Sequence, residues 1–291
     1  MTSAALPVSP RPLHVPGSVW VLPPLLVLGA LFLYPLSLIA SEALSGAAGL
    51  SLENFTHVMS TGAFRSALVN TIEISLAASA GCIVLGFVIA LILSFVPFPG
   101  SRIVARLIET YIAVPTFLVA LAFTFLYGSA GVLNETLMQM LNLPLPPVDF
   151  LYSPWGVILA EVTVYTPFAM RPLLAAFSTI DPAQIEVATS LGGRARRIVL
   201  TIILPAAIPA LLAGGSLCLL LTLNEFGIVL FIGAKGVITL PLLIYDKAIQ
   251  EFDYNTACVI AVVNVMLSLS LYSLYRMALV RFGGGGSAGL V

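Results

Sequence analysis

Two histidines, thirteen carboxylates and three cysteines are the side chains this sequence could bring to a reaction, and their placement excludes most chemistry. His14 and His57 lie outside the long apolar runs, so neither a histidine-dependent intramembrane hydrolase nor a helix-borne H-E-x-x-H zinc site can be assembled. Cys82, Cys218 and Cys258 each sit in an apolar run without the spacing of a metal site or a disulfide set, and read as small buried residues. No G-x-x-x-x-G-K-S/T run occurs, so the chain has no phosphate loop of its own for nucleotide. The reading is therefore of no catalytic residue, no metal ligand and no bound cofactor. What remains is a pair of carboxylates set in apolar sequence, Glu161 and Glu225. A charge at the centre of a bilayer costs about 2.5–3.5 kcal/mol, so such groups face protein or water. Glu225 stands between Asn224 and the helix-breaking Gly227. Either this group faces water inside the protein, or it makes an interhelical or interfacial hydrogen bond. For Glu161 the interhelical bond is the simpler reading.

Ser178–Pro205 is the longest soluble-looking element between the apolar runs, and its residues describe a short, terminated helix. Asp181 suits an N-cap, Pro182 the first helical position, and Gln184 completes a capping-box spacing. Gly192 and Gly193 supply the backbone freedom that ends the helix. The result is about ten residues, roughly 15 Å, with Ile185, Ala188 and Thr189 on one face. That is a knob, too short to span a membrane.

The rest of the chain supplies the frame. Of 291 residues, 59% are hydrophobic and 9% charged, against about a quarter charged in soluble domains, which makes this an all-helical membrane protein. A net charge of −1 gives no argument for a nucleic-acid partner. Charge-free runs and proline positions place six spans at about Val19–Ala40, Ile72–Phe95, Tyr111–Leu133 with a kink at Pro115, Pro154–Phe177, Leu204–Leu223 and Thr256–Tyr275. The apolar piece Val237–Tyr245 is too short to cross and reads as re-entrant or superficial. Residues 1–18 read as a cytosolic leader, since the run after Arg11 is too long for a signal peptide, and 283–291 as a flexible glycine-rich tail. Asn54-Phe55-Thr56 and Asn134-Glu135-Thr136 match a glycosylation acceptor by chance. With both termini in the cytosol, Arg11, Arg102, Arg106, Arg171, Arg194, Arg196, Arg197, Arg276 and Arg281 lie inside, and Arg65, Lys235 and Lys247 outside. That assignment obeys the positive-inside rule and puts the Ser178–Pro205 loop in the cytosol.

Glu186-Val187-Ala188, then Gly192, then Ile202-Ile203-Leu204-Pro205 resemble the EAA loop of bacterial ABC importer permeases in every spacing, with Val187 where the family usually has alanine. The resemblance covers about Val19 to Phe282 and implies the type I importer fold, a permease domain over 19–282 with a cytosolic coupling loop at 178–205. It implies that Asp181, Ile185, Glu186, Ala188, Thr189, Gly192, Ile202, Leu204 and Pro205 form the element that meets an ATPase. Asn224, Glu225 and Gly227 would lie at the pathway or its gate. The partners implied are two ATPase subunits that use ATP and Mg, a second permease copy or a homologous permease, a periplasmic or lipid-anchored substrate-binding protein, and lipid of the bacterial inner membrane. The stretches LNEFGIVLFIG and ITLPLLIY resemble permeases for 2-aminoethylphosphonate, with ferric-iron, polyamine and sulfate types nearby. The competing reading is a secondary transporter driven by an ion gradient. It requires paired broken helices with ionisable residues, and the sequence offers one clear break, near Asn224, without a partner.

Overall fold

Proline and glycine decide where the apolar runs become helices and where those helices stop. The computed structural model describes residues 20–46 and 49–282; the leader 1–18, the first residue of the expected first span and the tail 283–291 lie outside them. Among the described residues, six helical segments are long and apolar enough to cross a membrane. The first, α1 (Leu22–Ala43), opens with prolines in its first turn and carries Pro35 inside it rather than near an end. A two-residue antiparallel pair follows, β1 (Ser45–Gly46) with β2 (Gly49–Leu50), in register Ser45 to Leu50 and Gly46 to Gly49.

After α2 (Glu53–Ser60) comes α3 (Gly62–Phe95), which starts well before the expected Ile72. Thr61 caps it by accepting from the Phe64 amide at 3.3 Å, so Arg65 and Glu73 sit in its first turns. At 34 residues and about 1.5 Å each, α3 exceeds the roughly 30 Å of bilayer hydrocarbon, which leaves its polar turns room outside.

The expected third span, Tyr111–Leu133, is α5 (Thr116–Tyr127) with separate helices on either side, α4 (Ser101–Tyr111) before it and α6 (Val132–Leu141) after it. Pro115 lacks an amide and disfavours helical backbone at Val114, so it ends one helix and starts the next instead of bending a continuous one. The second interruption is a tight turn, Gly128–Gly131, where a Cβ on Gly128 would stand 2.4 Å from the Thr124 carbonyl oxygen. Asn134 fastens that turn by donating to the carbonyls of Gly128 and Val148 and accepting from the Val148 amide. This asparagine is fully buried, out of reach of glycosylation.

Helix α7 (Pro154–Phe177) has the expected bounds. It leads to α8 (Pro182–Ser190), α9 (Ala195–Ile198), a π turn at Val199–Ile203 and α10 (Leu204–Leu223). The last three run on without a gap, so the fifth span begins at Ala195, ahead of the expected Leu204. Pro205 has no amide for the carbonyl one turn back, and its ring crowds that carbonyl. The wider π turn just before it takes up the strain. After α10 the chain breaks and forms α11 (Gly227–Ile232), then α12 (Leu240–Tyr245) within the short apolar piece, and then α13 (Tyr254–Phe282).

Small residues let the central helices meet closely, as is common where lipid gives no hydrophobic drive. A Cβ on Gly214 of α10 would stand 2.9 Å from the Ala169 Cα of α7. Three apolar clusters fill the bundle. A central one joins α3, α5, α7, α10 and α11 through Cys82, Phe123, Tyr165, Cys218 and Ile228. A second gathers α2, α12, the start of α3 and α13 around Phe64, Leu240 and Ile260. The third joins the ends of α3 and α7 to α4, α8, α9 and the start of α10 through Phe177, Ile198 and Ile203.

Candidate functional site

Both ends of α8 are clasped by its own sequence. Asp181 Oδ1 accepts from the Ala183 amide at 2.9 Å, with Pro182 in the first turn. Among the described residues no bond from the Gln184 side chain completes the capping box. At the other end the Gly193 amide donates to the Ala188 carbonyl at 2.9 Å and the Gly192 amide to Thr189 at 2.9 Å, a Schellman closure. Gly192 provides the left-handed residue, with φ of 78°. A Cβ on Gly193 would stand 2.6 Å from the Ala188 oxygen. Gly193→Ala is therefore expected to open the clasp, at a cost near the ~1 kcal/mol of one hydrogen bond. Trypsin cleavage after Arg194, Arg196 or Arg197 in native membranes should then be about fivefold faster; an unchanged rate would show that the clasp does not hold this loop.

The helix has an inner and an outer side. Ile185 and Ala188 turn into the third cluster, against Val199, Ile202 and Ile203 among others. Thr189 lies on the exposed flank, its hydroxyl bonded to the Ile185 carbonyl at 2.7 Å. Facing outward are Glu186, Val187 and Leu191, the last two 59% and 83% exposed. Val187, the departure from the motif, is thus on the outer side, where its extra bulk meets no atom of this chain's core. Leu204 is half-buried behind the helix and Pro205 exposed. A hollow of about 300 Å³ beside α8 is lined by Leu191, Gly192, Arg197 and Thr201 among others. Arg194, Arg196 and Arg197 are exposed, and the one ion pair among the described residues is elsewhere, Lys247 with Glu251.

The second constellation lies in the central cluster. Glu225, buried, follows the end of α10, and its carboxylate gathers three elements. Oε1 accepts from the Ile228 amide of α11 at 2.7 Å and from Thr116 Oγ1 of α5 at 3.3 Å, while Oε2 accepts from the Tyr165 hydroxyl of α7. Gly227 makes the approach possible, since a Cβ there would stand 3.0 Å from Thr116 Oγ1 and 3.3 Å from Glu225 Oε1. Asn224, one residue back, is exposed; it accepts from Asn264 of α13 at 3.2 Å and donates to the Leu220 carbonyl at 2.8 Å. Glu161, one turn before Tyr165 on α7, is 1% exposed and its Oε2 has no partner. The expected interhelical bond is thus made by Glu225, and the Glu161 oxygen is left without one.

Thr116 and Tyr165 were not singled out by the sequence. A signal for Tyr165 was present, because it lies four residues after Glu161 and so shares its face. The break at Ile112–Pro115 now meets the break at Asn224–Phe226, giving the latter the partner that the sequence did not reveal.

A family model described as "binding-protein-dependent transport system inner membrane component" matches residues 82–281. The putative 2-aminoethylphosphonate transport system permease protein PhnU of Salmonella typhimurium is 57% identical over 282 residues, 97% of this chain and 99% of the relative. The sulfate transport system permease protein CysT of the same organism is 31% identical over 206 residues, 69% of this chain and 71% of the relative. Among solved structures, a bacterial ABC transporter involved in the import of the acidic polysaccharide alginate matches with a TM-score of 0.79 at 19% identity, over 91% of this chain and 95% of that one.

Proposed function

The chain belongs to the family of binding-protein-dependent transport system inner membrane components, and on that premise we propose that it forms the pathway of an ATP-driven importer for a small organophosphonate, 2-aminoethylphosphonate. The chain is a multi-pass inner-membrane permease subunit. Our reading adds two ATPase subunits that use ATP and Mg, a second permease copy or a homologous one, and a substrate-binding protein on the outer side. Both termini and α8 lie in the cytosol in this reading, as the count of basic residues favours. Supporting the substrate is the 57% identity of the PhnU protein, which spans nearly all of both chains.

The observation that carries the mechanism is the seat of α8. Its apolar underside is keyed into a cluster shared by α7, α9 and α10, so a push on Glu186, Val187 or Leu191 moves α8 as a rigid piece against α7 and α10. Those neighbours bear the far end of the linkage, because α7 carries Tyr165 and α10, which ends at Leu223, leads directly into Glu225. Sliding α7 past α10 would loosen or tighten the Glu225 junction, and the breaks at Ile112–Pro115 and Asn224–Phe226 are where the spans can flex. Asp181, Gly192, Ile202, Leu204 and Pro205 hold the lever, and Asn224, Glu225 and Gly227 form the gate.

An ion-driven transporter, the competing reading, requires paired broken helices in two related halves, and vesicles separate the two. With ATPase and binding protein added, uptake of labelled 2-aminoethylphosphonate is expected to require ATP and to be insensitive to ionophores. Gradient-driven uptake without the ATPase would overturn the class, and sulfate uptake in its place would overturn the substrate.

A further inference from the structure

The break between α10 and α11 is held by more than its carboxylate. Glu225 is bonded to α5, α7 and α11, but the residues on either side of it turn to other elements. Asn224 Oδ1 accepts from Asn264 Nδ2 of α13 at 3.2 Å, and the Phe226 ring packs on Tyr245 at the end of α12 with centroids 5.0 Å apart. Helices α12 and α13 share the second cluster, whereas Tyr165 and Ile228 belong to the central one. The break therefore lies between two packed bodies and is gripped by both.

Asn264 is a costly residue for its place. It stands about ten residues into α13, roughly 15 Å along the helix, on the face it shares with Ile260 and Ser268, and is 7% exposed. Its Oδ1 has no partner among the described residues, and neither has the Ser268 hydroxyl. An acceptor buried without a donor weakens the fold, so leucine would suit the position better if packing alone mattered. The one hydrogen bond that the Asn264 side chain makes among the described residues is the one to Asn224. Further along the same two helices the fit is already close, since a Cβ on Gly215 of α10 would collide with the Tyr275 hydroxyl of α13. A bond at Asn224 then fixes the point where α10 ends.

We propose that Asn264 is a positioning residue for the gate: by holding Asn224 it sets the end of α10, and with it the place from which Glu225 reaches Tyr165 and Thr116. This role rests on the reading of Asn224, Glu225 and Gly227 as the gate, and it brings the sixth span into the transport cycle.

Hydrogen exchange of the assembled transporter, read by mass spectrometry, tests the hold, and uptake into vesicles tests its use. Asn264→Leu keeps the size of the side chain while removing both the bond and the partnerless acceptor. Backbone amides over Asn224–Ile228 should then exchange about fivefold faster, the shift that loss of one neutral hydrogen bond allows. Labelled 2-aminoethylphosphonate moved per ATP hydrolysed should fall by a similar factor. Ser268→Ala, which removes the other partnerless group on that face and no bond to the break, should change neither. Added to Asn224→Ala, Asn264→Leu should speed exchange no further, because the two residues act through one bond. Unchanged exchange in Asn264→Leu, or additive effects of the two changes, overturns the hold. Faster exchange with unchanged transport per ATP overturns the part in gating and leaves an ordinary interhelical bond. A wild-type transporter that hydrolyses ATP without moving 2-aminoethylphosphonate counts against the substrate instead, and the exchange comparison still decides whether Asn264 holds the break.

Discussion

Leu191→Asp and Glu186→Arg variants are expected to reach the membrane in normal amounts and yet fail to capture an ATPase subunit. Leu191 is 83% exposed at the tip of α8, and Glu186 is exposed on the same outer side, so neither change disturbs an internal contact. A leucine buried in an interface contributes about 1.5–3 kcal/mol relative to leaving it in water. Loss of that contact corresponds to roughly ten- to hundredfold weaker association, before the added charge is counted. Ile185→Asp is the informative contrast. Its side chain points into the cluster with Ile198 and Ile203, so an unpaired carboxylate there should lower the amount of folded protein. Co-purification of the ATPase, normalised to permease abundance, separates the two classes. If Leu191→Asp retains the ATPase while Ile185→Asp loses it at normal abundance, the outer and inner sides have been assigned the wrong way round.

The face shared by Ile185 and Ala188 was legible in the sequence of α8, but that this face is the buried one was not, for a physical reason. Its apolar residues Ile185, Val187, Ala188 and Leu191 are distributed around the helix, so no stripe marks the buried side, and the third cluster decides which ones turn inward. The clasps at its ends were legible because Asp181, Pro182 and the two glycines act locally. The bounds of α7 and the C-terminal end of α10 were legible for the same reason, being set by Pro154 and by the polar break at Asn224. The π turn before Pro205 and the separation of α4 from α5 were not, because a proline only announces that a hydrogen bond is missing. Whether the helix bends, widens or stops depends on neighbours that can satisfy the freed carbonyls. The candidate gate was half legible. Asn224, Glu225 and Gly227 announce themselves as polar and flexible residues in an apolar run, but Thr116 and Tyr165 reach Glu225 from sequence positions far away.

The largest effect on folding is expected at that junction, where two buried carboxylates should respond in opposite directions. Glu225→Ala leaves the Tyr165 hydroxyl, the Ile228 amide and the Thr116 hydroxyl without their acceptor. A buried donor left unsatisfied costs about 1–3 kcal/mol, so for three donors the loss should reach about 3–9 kcal/mol and lower the thermal midpoint of the purified protein. Glu225→Gln keeps one acceptor oxygen and should lose less. Glu161→Met removes a side chain of similar length whose Oε2 has no partner. Burial of an unsatisfied polar group carries a penalty of about 1–3 kcal/mol in protein interiors, so this variant should melt higher than the wild type. Uptake measured alongside then tells stability from function. A more stable Glu161→Met protein that no longer transports would mean that the partnerless oxygen is kept for the transport cycle and tolerated at the expense of the fold. A Glu225→Ala protein as stable as the wild type would mean that the three donors find other acceptors, and that Glu225 does not tie α5, α7 and α11 together.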